Sequence, residues 1–238
     1  DQIFNQIAKF RYMFGGTAKT PVVIRTLCGA GVRAASQHSQ MLYPVFTHFP
    51  GLKVAVPSSP YEAKGLLTQA IRDDDPVIFF EHKAMFDDTG EVPDKPYAIP
   101  FGEARIVCEG GDVTLVALGR MVGFAKTAAD RLAKDGIQCT VIDPRTTSPL
   151  DTGTILASVR STGRLVVIDE AHPRCGMAAD IASLVAEEAF NSLTAPIRKV
   201  TPPHCPVPFA PELEDAYIPG PDDIEQAVRA IVKERADA

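Results

Sequence analysis

Four consecutive apolar residues, Val77-Ile78-Phe79-Phe80, lie between Pro76 and Glu81 with no polar side chain to face water. A strand covered on one face alternates in polarity, so an unbroken run implies cover on both faces, the habit of parallel sheets. Parallel strands cannot be closed by a hairpin, and each return needs a crossover, usually a helix. The sequence before this run supplies one. Val22-Val23-Ile24 and Lys53–Val56 read as two further strands, and a helix signal separates the second from Pro76. Ser59 can cap that helix, Pro60 suits its first position, and Glu62 completes a capping box. Ala63, Leu66, Leu67, Ala70 and Ile71 then form one apolar stripe.

The pattern breaks between Asp87 and Pro100, where Gly90 and three prolines stand in a stretch without apolar periodicity. This reads as an extended linker. Alternation then resumes, with strands at Val113–Leu118, Cys139–Ile142, Leu165–Ile168 and Ile197–Val200. Helical stripes follow around Val122–Ala133 (ended by Gly136), Ile155–Val159 (stopped by Gly163), Ile181–Val185 and Ile224–Ile231. That order predicts an α/β fold with a doubly wound sheet. Seven prolines from Pro202 to Pro221 argue against regular structure there and predict a stiff segment draped over a surface. The spacing of Ile3, Ile7 and Phe10 reads as a helix already under way, so the polypeptide is expected to continue upstream.

Composition narrows the function classes. At 45% hydrophobic and 23% charged, the chain has globular proportions, which excludes a disordered or collagen-like protein. The net charge of −6 and the absence of a basic stripe argue against nucleic acid. No run approaches the roughly 18 apolar residues of a membrane span, and no leader pattern opens the chain. Cys28, Cys108, Cys139, Cys175 and Cys205 are scattered without a CxxC, so zinc and iron–sulfur sites have no support. They read as reduced core thiols of a cytoplasmic protein.

Four segments carry chemistry, each with a plainer reading beside it. His38 follows the Gly29-Ala30-Gly31 loop after a strand end, where α/β sheets line their ligand crevice. It can exchange a proton near neutral pH, or simply be a histidine bonded into the structure. Asp73-Asp74-Asp75 joins a helix end to a strand, as a hard-cation site or a solvated turn. Asp143 to Asp151 and Glu170 to Gly176 follow two successive strands. They fit a ligand rim, or capped loops, since Ser148-Pro149 with Asp151 also spells a capping box.

The ordered set Phe10-Arg11-Tyr12-Met13, Gln37-His38-Ser39-Gln40, Pro50-Gly51-Leu52-Lys53-Val54, Ala63-Lys64-Gly65-Leu66-Leu67 and Asp143-Pro144-Arg145-Thr146 resembles one family nearly end to end. It is the beta subunit of the thiamine-diphosphate-dependent first component of 2-oxo acid dehydrogenase complexes. Pro144 to Asp151, Arg174-Cys175-Gly176-Met177-Ala178 and Thr201-Pro202-Pro203-His204 look most like acetoin dehydrogenase, with pyruvate and branched-chain dehydrogenases as near alternatives. The resemblance implies the C-terminal part of a pyrimidine-binding domain (1–86), a linker (87–104) and a transketolase C-terminal-like domain (105–238). It implies an α2β2 assembly in which an alpha subunit holds the diphosphate and Mg²⁺, a second beta subunit completes the tetramer, and a lipoyl acyltransferase core receives the acyl group.

By the same resemblance His38 is the active-site histidine. Val22, Ala70, Ile71, Asp73 and Asp75 fall on the positions that hold a monovalent cation, usually potassium. Some relatives carry Asn where Asp75 stands. The family's cofactor-activating glutamate falls upstream of residue 1, as do most other cofactor contacts, and neither Glu62 nor Glu81 takes that role. The expected protein is therefore an enzyme subunit, silent as this chain alone. A purely scaffolding subunit is the competing class. A single-chain transketolase relative is a third class, and the absence of its Gly-Asp-Gly diphosphate motif from these residues counts against it unless that motif lies upstream.

Overall fold

The crossovers demanded by the apolar runs build two sheets. The computed structural model describes residues 1–233. It opens with a π-type turn at Gln2–Ile7 and a short helix α1 (Phe10–Met13), where the apolar spacing predicts one continuous helix. β1 (Val23–Cys28) leads through α2 (Ala35–His38) and α3 (Tyr43–Thr47) to β2 (Lys53–Ala55), α4 (Pro60–Arg72) and β3 (Val77–His82). Next come β4 (Arg105–Cys108), β5 (Val113–Ala117), α5 (Met121–Lys134), β6 (Cys139–Asp143), β7 (Thr146–Ser148) and α6 (Thr152–Thr162). β8 (Leu165–Ile168), α7 (Met177–Glu188), β9 (Arg198–Val200), α8 (Pro211–Tyr217) and α9 (Pro221–Lys233) complete the chain described.

The first sheet has the order β1-β3-β2-β7 and the second β4-β6-β5-β8-β9. Pairing is parallel except at β7 and β4, which join their edges antiparallel. One apolar core lies between the sheets, drawing Val54, Ile78 and Phe80 from the first and Val116, Ile142 and Val167 from the second. A second core packs α5 and α9 on the far face of the second sheet, and a third packs α4 with Ile99 on the far face of the first.

Several local expectations need correction. Helix α8 forms inside the proline-rich 201–221 stretch, because Pro211 falls in the first turn, where a missing N–H costs nothing. β4 and β7 were not expected. β7 is polar, Thr146-Thr147-Ser148, and is held by pairing with β2 and by the Ser148 hydroxyl on the Leu52 carbonyl, 2.8 Å. Ser148 therefore does not cap α6. Asp151 does, accepting the Thr154 N–H at 3.0 Å. At α4, Ser59 accepts the Glu62 N–H as expected; the buried Glu62 carboxylate accepts the Ser59 hydroxyl on Oε2, while its Oε1 meets Arg105 (2.7 Å) and Arg145 (3.3 Å). Cys28 and Cys139 are core thiols, whereas Cys175 and Cys205 are exposed.

The 105–238 span, of which 234–238 lie outside the described residues, lends β7 to the first sheet. The 87–104 stretch contains no helix or strand and lies against α4. The Ile99 N–H bonds to the Gly65 carbonyl (3.1 Å), and a Cβ on Gly65 would stand 2.6 Å from the Ile99 side chain.

Candidate active site at the junction of the two sheets

β1 delivers the chain to the C-terminal edge of the first sheet, and the loop after it makes an unusual turn. Gly29 and Gly31 have φ of +89° and +98°, and the non-glycine residues Arg33 and Ala35 have +58° and +60°. A Cβ on Gly29 would lie 2.1 Å from His82 Nε2, so only glycine lets the loop cross that ring. His38, the last residue of α2, is exposed, and its imidazole makes no hydrogen bond to another described residue. An imidazole in that state is open to exchange a proton with a bound molecule.

The second sheet supplies the surroundings. At the end of β8, the buried Asp169 accepts the Tyr43 hydroxyl and the N–H groups of Ala171 (2.8 Å) and Ala178 (3.3 Å). Burial pushes its pKa up to about 6 against those bonds, with Glu170 adding repulsion. Burial, then the Asp169 charge, raises Tyr43 well above the ordinary phenol range, so Tyr43 stays a neutral donor. Glu170 accepts the Ala30 N–H (2.7 Å) and bonds His82 Nε2 (2.8 Å), while His82 Nδ1 accepts the Ala84 N–H (3.2 Å).

Beside α2 lies a cavity of about 440 Å³, lined by Ser36, Gln37, Gln40, His172, His204 and Cys205 among others. The His172 and His204 rings meet edge to face at 5.5 Å, and His172 Nδ1 is buried without a partner. Ser39, 2% exposed, likewise has an unpartnered hydroxyl. The two segments after β6 and β8 thus differ. Residues 170–176 contribute His172 to the cavity. In the other, Asp143 is buried against the Ser58 hydroxyl and the Arg145 N–H (2.8 Å), so its polar groups serve the joint between sheets.

The acidic turn stands elsewhere, by a cleft of about 930 Å³ that also includes Arg11, Tyr12 and Gly51. The Lys53 ammonium bridges both Asp73 oxygens (2.7 and 2.8 Å) and reaches Asp75 at 3.3 Å. Arg11 also pairs with Asp75, whose pKa is lowered by these cations against the opposing effect of burial. The Val22 carbonyl accepts the Val77 N–H (2.9 Å), the Ala70 carbonyl accepts the Asp73 N–H (3.3 Å), and Ile71 is exposed. His38 and this five-residue set are therefore separate places on the molecule.

The residues described do not by themselves fit a thiamine cofactor. Its ring nitrogen needs a free carboxyl, yet Glu62, Glu170 and Glu214, all buried, are each bonded to partners within the protein. Its diphosphate needs a metal site, and among the described residues no group of three His, Cys, Asp or Glu side chains could hold one. Sequence reasoning missed His82 and Glu214 altogether. Glu170 had a visible signal, two acids ending an all-apolar strand. Glu214 had none, since it reaches the site from 183 residues beyond Gly31.

Comparison with known proteins adds to this geometry. The family described as the transketolase pyrimidine binding domain matches residues 2–87, and the transketolase C-terminal domain matches residues 102–224. The chain is 62% identical over 233 residues to the acetoin:2,6-dichlorophenolindophenol oxidoreductase subunit beta of Cupriavidus necator, covering 98% of this chain and 69% of that one. The protein of the same description from Bacillus subtilis is 55% identical over 236 residues, covering 99% and 69%. The pyruvate dehydrogenase E1 component subunit beta of Rickettsia felis is 46% identical over 231 residues, covering 97% and 71%. Among solved structures, a split-gene transketolase described as an inactive beta4 tetramer superposes with a TM-score of 0.75 at 24% identity, over 97% of this chain and 73% of that one. That last likeness bears on the fold alone.

Proposed function

Since the chain belongs to the beta subunits of thiamine-diphosphate-dependent acetoin and 2-oxo acid dehydrogenase E1 components, we propose that its own task is proton handling at His38 while acetoin is cleaved. Acyl transfer to lipoyl-lysine of an acyltransferase core follows. The observation that carries this reading is the His38 imidazole, exposed and unbonded among the described residues, at the strand-end crevice beside the cavity of His172 and His204. Acetoin is preferred to pyruvate because the two acetoin relatives are the more similar. An alpha subunit would hold the diphosphate and Mg²⁺, consistent with the engaged glutamates above, and a second beta subunit would complete an α2β2 tetramer. This chain alone would then turn over nothing. All five cysteines are free, which suits a reducing compartment such as the cytoplasm. Among the described residues no helix is long and apolar enough to cross a membrane.

The test is reconstitution with the alpha subunit, assayed separately on acetoin and pyruvate. His38→Ala is expected to lower acetoin turnover by about 10²–10⁴-fold, the usual contribution of a proton-handling group, with an unchanged melting temperature. Normal turnover with a lowered melting temperature would make His38 structural. We also propose potassium at Val22, Ala70, Ile71, Asp73 and Asp75. Carbonyls at the end of α4 favour a cation, and the Lys53 ammonium on Asp73 would compete with it. A melting temperature higher in potassium than in tetramethylammonium chloride supports this ion, through mass action on the folded state. Identical curves refute it.

A further inference from the structure

The His38 imidazole is held by no side chain among those described, so where it stands depends on the backbone that leads to it. That backbone, residues 29–35, carries four positive φ angles, two of them at Arg33 and Ala35. Non-glycine residues persist in that region only where their surroundings over-determine them. Here the constraint comes from the other half of the molecule. Glu214, on α8 and fully buried, accepts the Gly31 N–H at 2.9 Å on Oε1. Its Oε2 accepts the Arg33 N–H at 3.1 Å and the Arg33 guanidinium at 2.8 Å. Glu170 takes the Ala30 N–H at 2.7 Å. Three loop amides thus converge on two buried carboxylates, and charge-assisted bonds of this kind are the stronger ones. Asp215 adds a second, exposed hold on the same guanidinium, at 2.7 and 2.9 Å.

We propose that Glu214, assisted by Glu170, is the positioning residue for His38: it clamps the strained 29–35 backbone from the second sheet's side and so fixes where the imidazole stands. The proposal rests on His38 being the working group. Helix α8, within the proline-rich stretch, thus delivers its one fully buried carboxylate to this loop. It also separates the roles of two adjacent acids. Glu214 orders backbone, whereas Asp215 touches only the Arg33 side chain.

The test uses the full-length subunit assembled with its alpha partner, in the variants Glu214→Ala, Glu214→Gln, Asp215→Asn and His38→Ala. Turnover, KM, melting temperature and amide hydrogen exchange at residues 30–33 are the readouts. Glu214→Ala is expected to lower kcat by about 10²-fold, the scale of an ångström-sized misplacement. KM should stay unchanged within about twofold, and the amides of Gly31 and Arg33 should lose protection. Glu214→Gln, which keeps one acceptor oxygen, should recover part of both losses, and it carries the test if the alanine variant does not assemble. Asp215→Asn should behave as the parent. Lost protection with parental kcat overturns the proposal when His38→Ala is inactive. If His38→Ala is itself active, the His38 reading has failed, and exchange alone decides the clamp: unchanged protection at Gly31 and Arg33 overturns it.

Discussion

The two sheets answer the same demand for cover differently. In the second, every residue of β5, β6 and β8 is buried, because α5 and α9 close one face and the shared core closes the other. In the first, β3 is buried through Phe80, yet β1 at the edge leaves Arg25 and Leu27 exposed, and the opposite edge is completed by the polar β7. The three inner strands of the second sheet are closed on both faces, and only its edges β4 and β9 reach solvent, with Arg105, Ile106, Arg198 and Lys199 exposed. The first sheet meets the second through the shared apolar core and through buried polar groups as well, and the candidate active site stands at that joint. The difference assigns stability to one region and placement of reacting groups to the other.

The sharpest way to break this comparison is a pair of truncations. Leu115→Ala, in the fully buried β5, should cost about 2–5 kcal/mol, since the transfer and cavity terms both apply. Leu27→Ala, 56% exposed on β1, should cost less than about 0.5 kcal/mol. Urea unfolding of the two variants beside the parent measures both. Comparable losses would mean that β1 is covered and that the asymmetry is false.

The same asymmetry decides what could be read from the sequence. β5, β6 and β8 were legible because doubly covered strands are mainly apolar, broken here only by Thr114, Thr140 and the terminal Asp143, and α4 because Ser59 and Pro60 announce its start. β7 was not legible: Thr146-Thr147-Ser148 is a strand only because β2 offers it an edge. His38 could be placed after a glycine-bearing strand end, but the groups that hold its loop could not. Glu214 differs from any surface acid only in what it meets after folding, and no periodicity records a contact across 183 residues of sequence. Nor does the Asp73–Asp75 turn announce Lys53 and Arg11, which approach from β2 and α1.

Polar groups at the joint set the next effect in size. Glu62 is fully buried and bonded to Arg105 and Arg145, whose side chains are 42% and 14% exposed. Breaking a wholly buried pair typically costs 3–5 kcal/mol, but here Arg105 can recover water, so about 2 kcal/mol is expected for Glu62→Ala. The exposed Lys126–Asp130 pair on α5 offers the contrast, with Asp130→Asn expected within about 0.5 kcal/mol. Equal effects at the two sites would remove the distinction between a buried joint and a solvated helix face.

The smallest expected effect is a pH dependence at Asp143, which joins the second sheet to Ser58 of the first. Its pKa is pushed up from 3.8 to about 6, first by burial and then by the nearby Glu62 charge, while Ser58, the Arg145 N–H and the Arg145 charge pull it down. The folded state therefore holds this proton more tightly than the unfolded chain. The resulting stability is fully present below the unfolded value and is lost as pH rises through about 6. Asp143→Asn cannot lose a proton, so the stability of the parent relative to the variant should fall by about 1 kcal/mol between pH 5 and pH 7. Asp169 titrates in the same window but does so in both proteins and cancels from the difference. Asp75 and Asp151, whose pKa values are lowered, titrate below it. Urea unfolding of parent and variant at the two pH values decides the matter. A gap that stays constant would mean that the Asp143 carboxylate is as well solvated folded as unfolded and the joint between the sheets is wet, and one that widens in the parent's favour as pH rises would mean that Ser58 and Arg145 outweigh its burial.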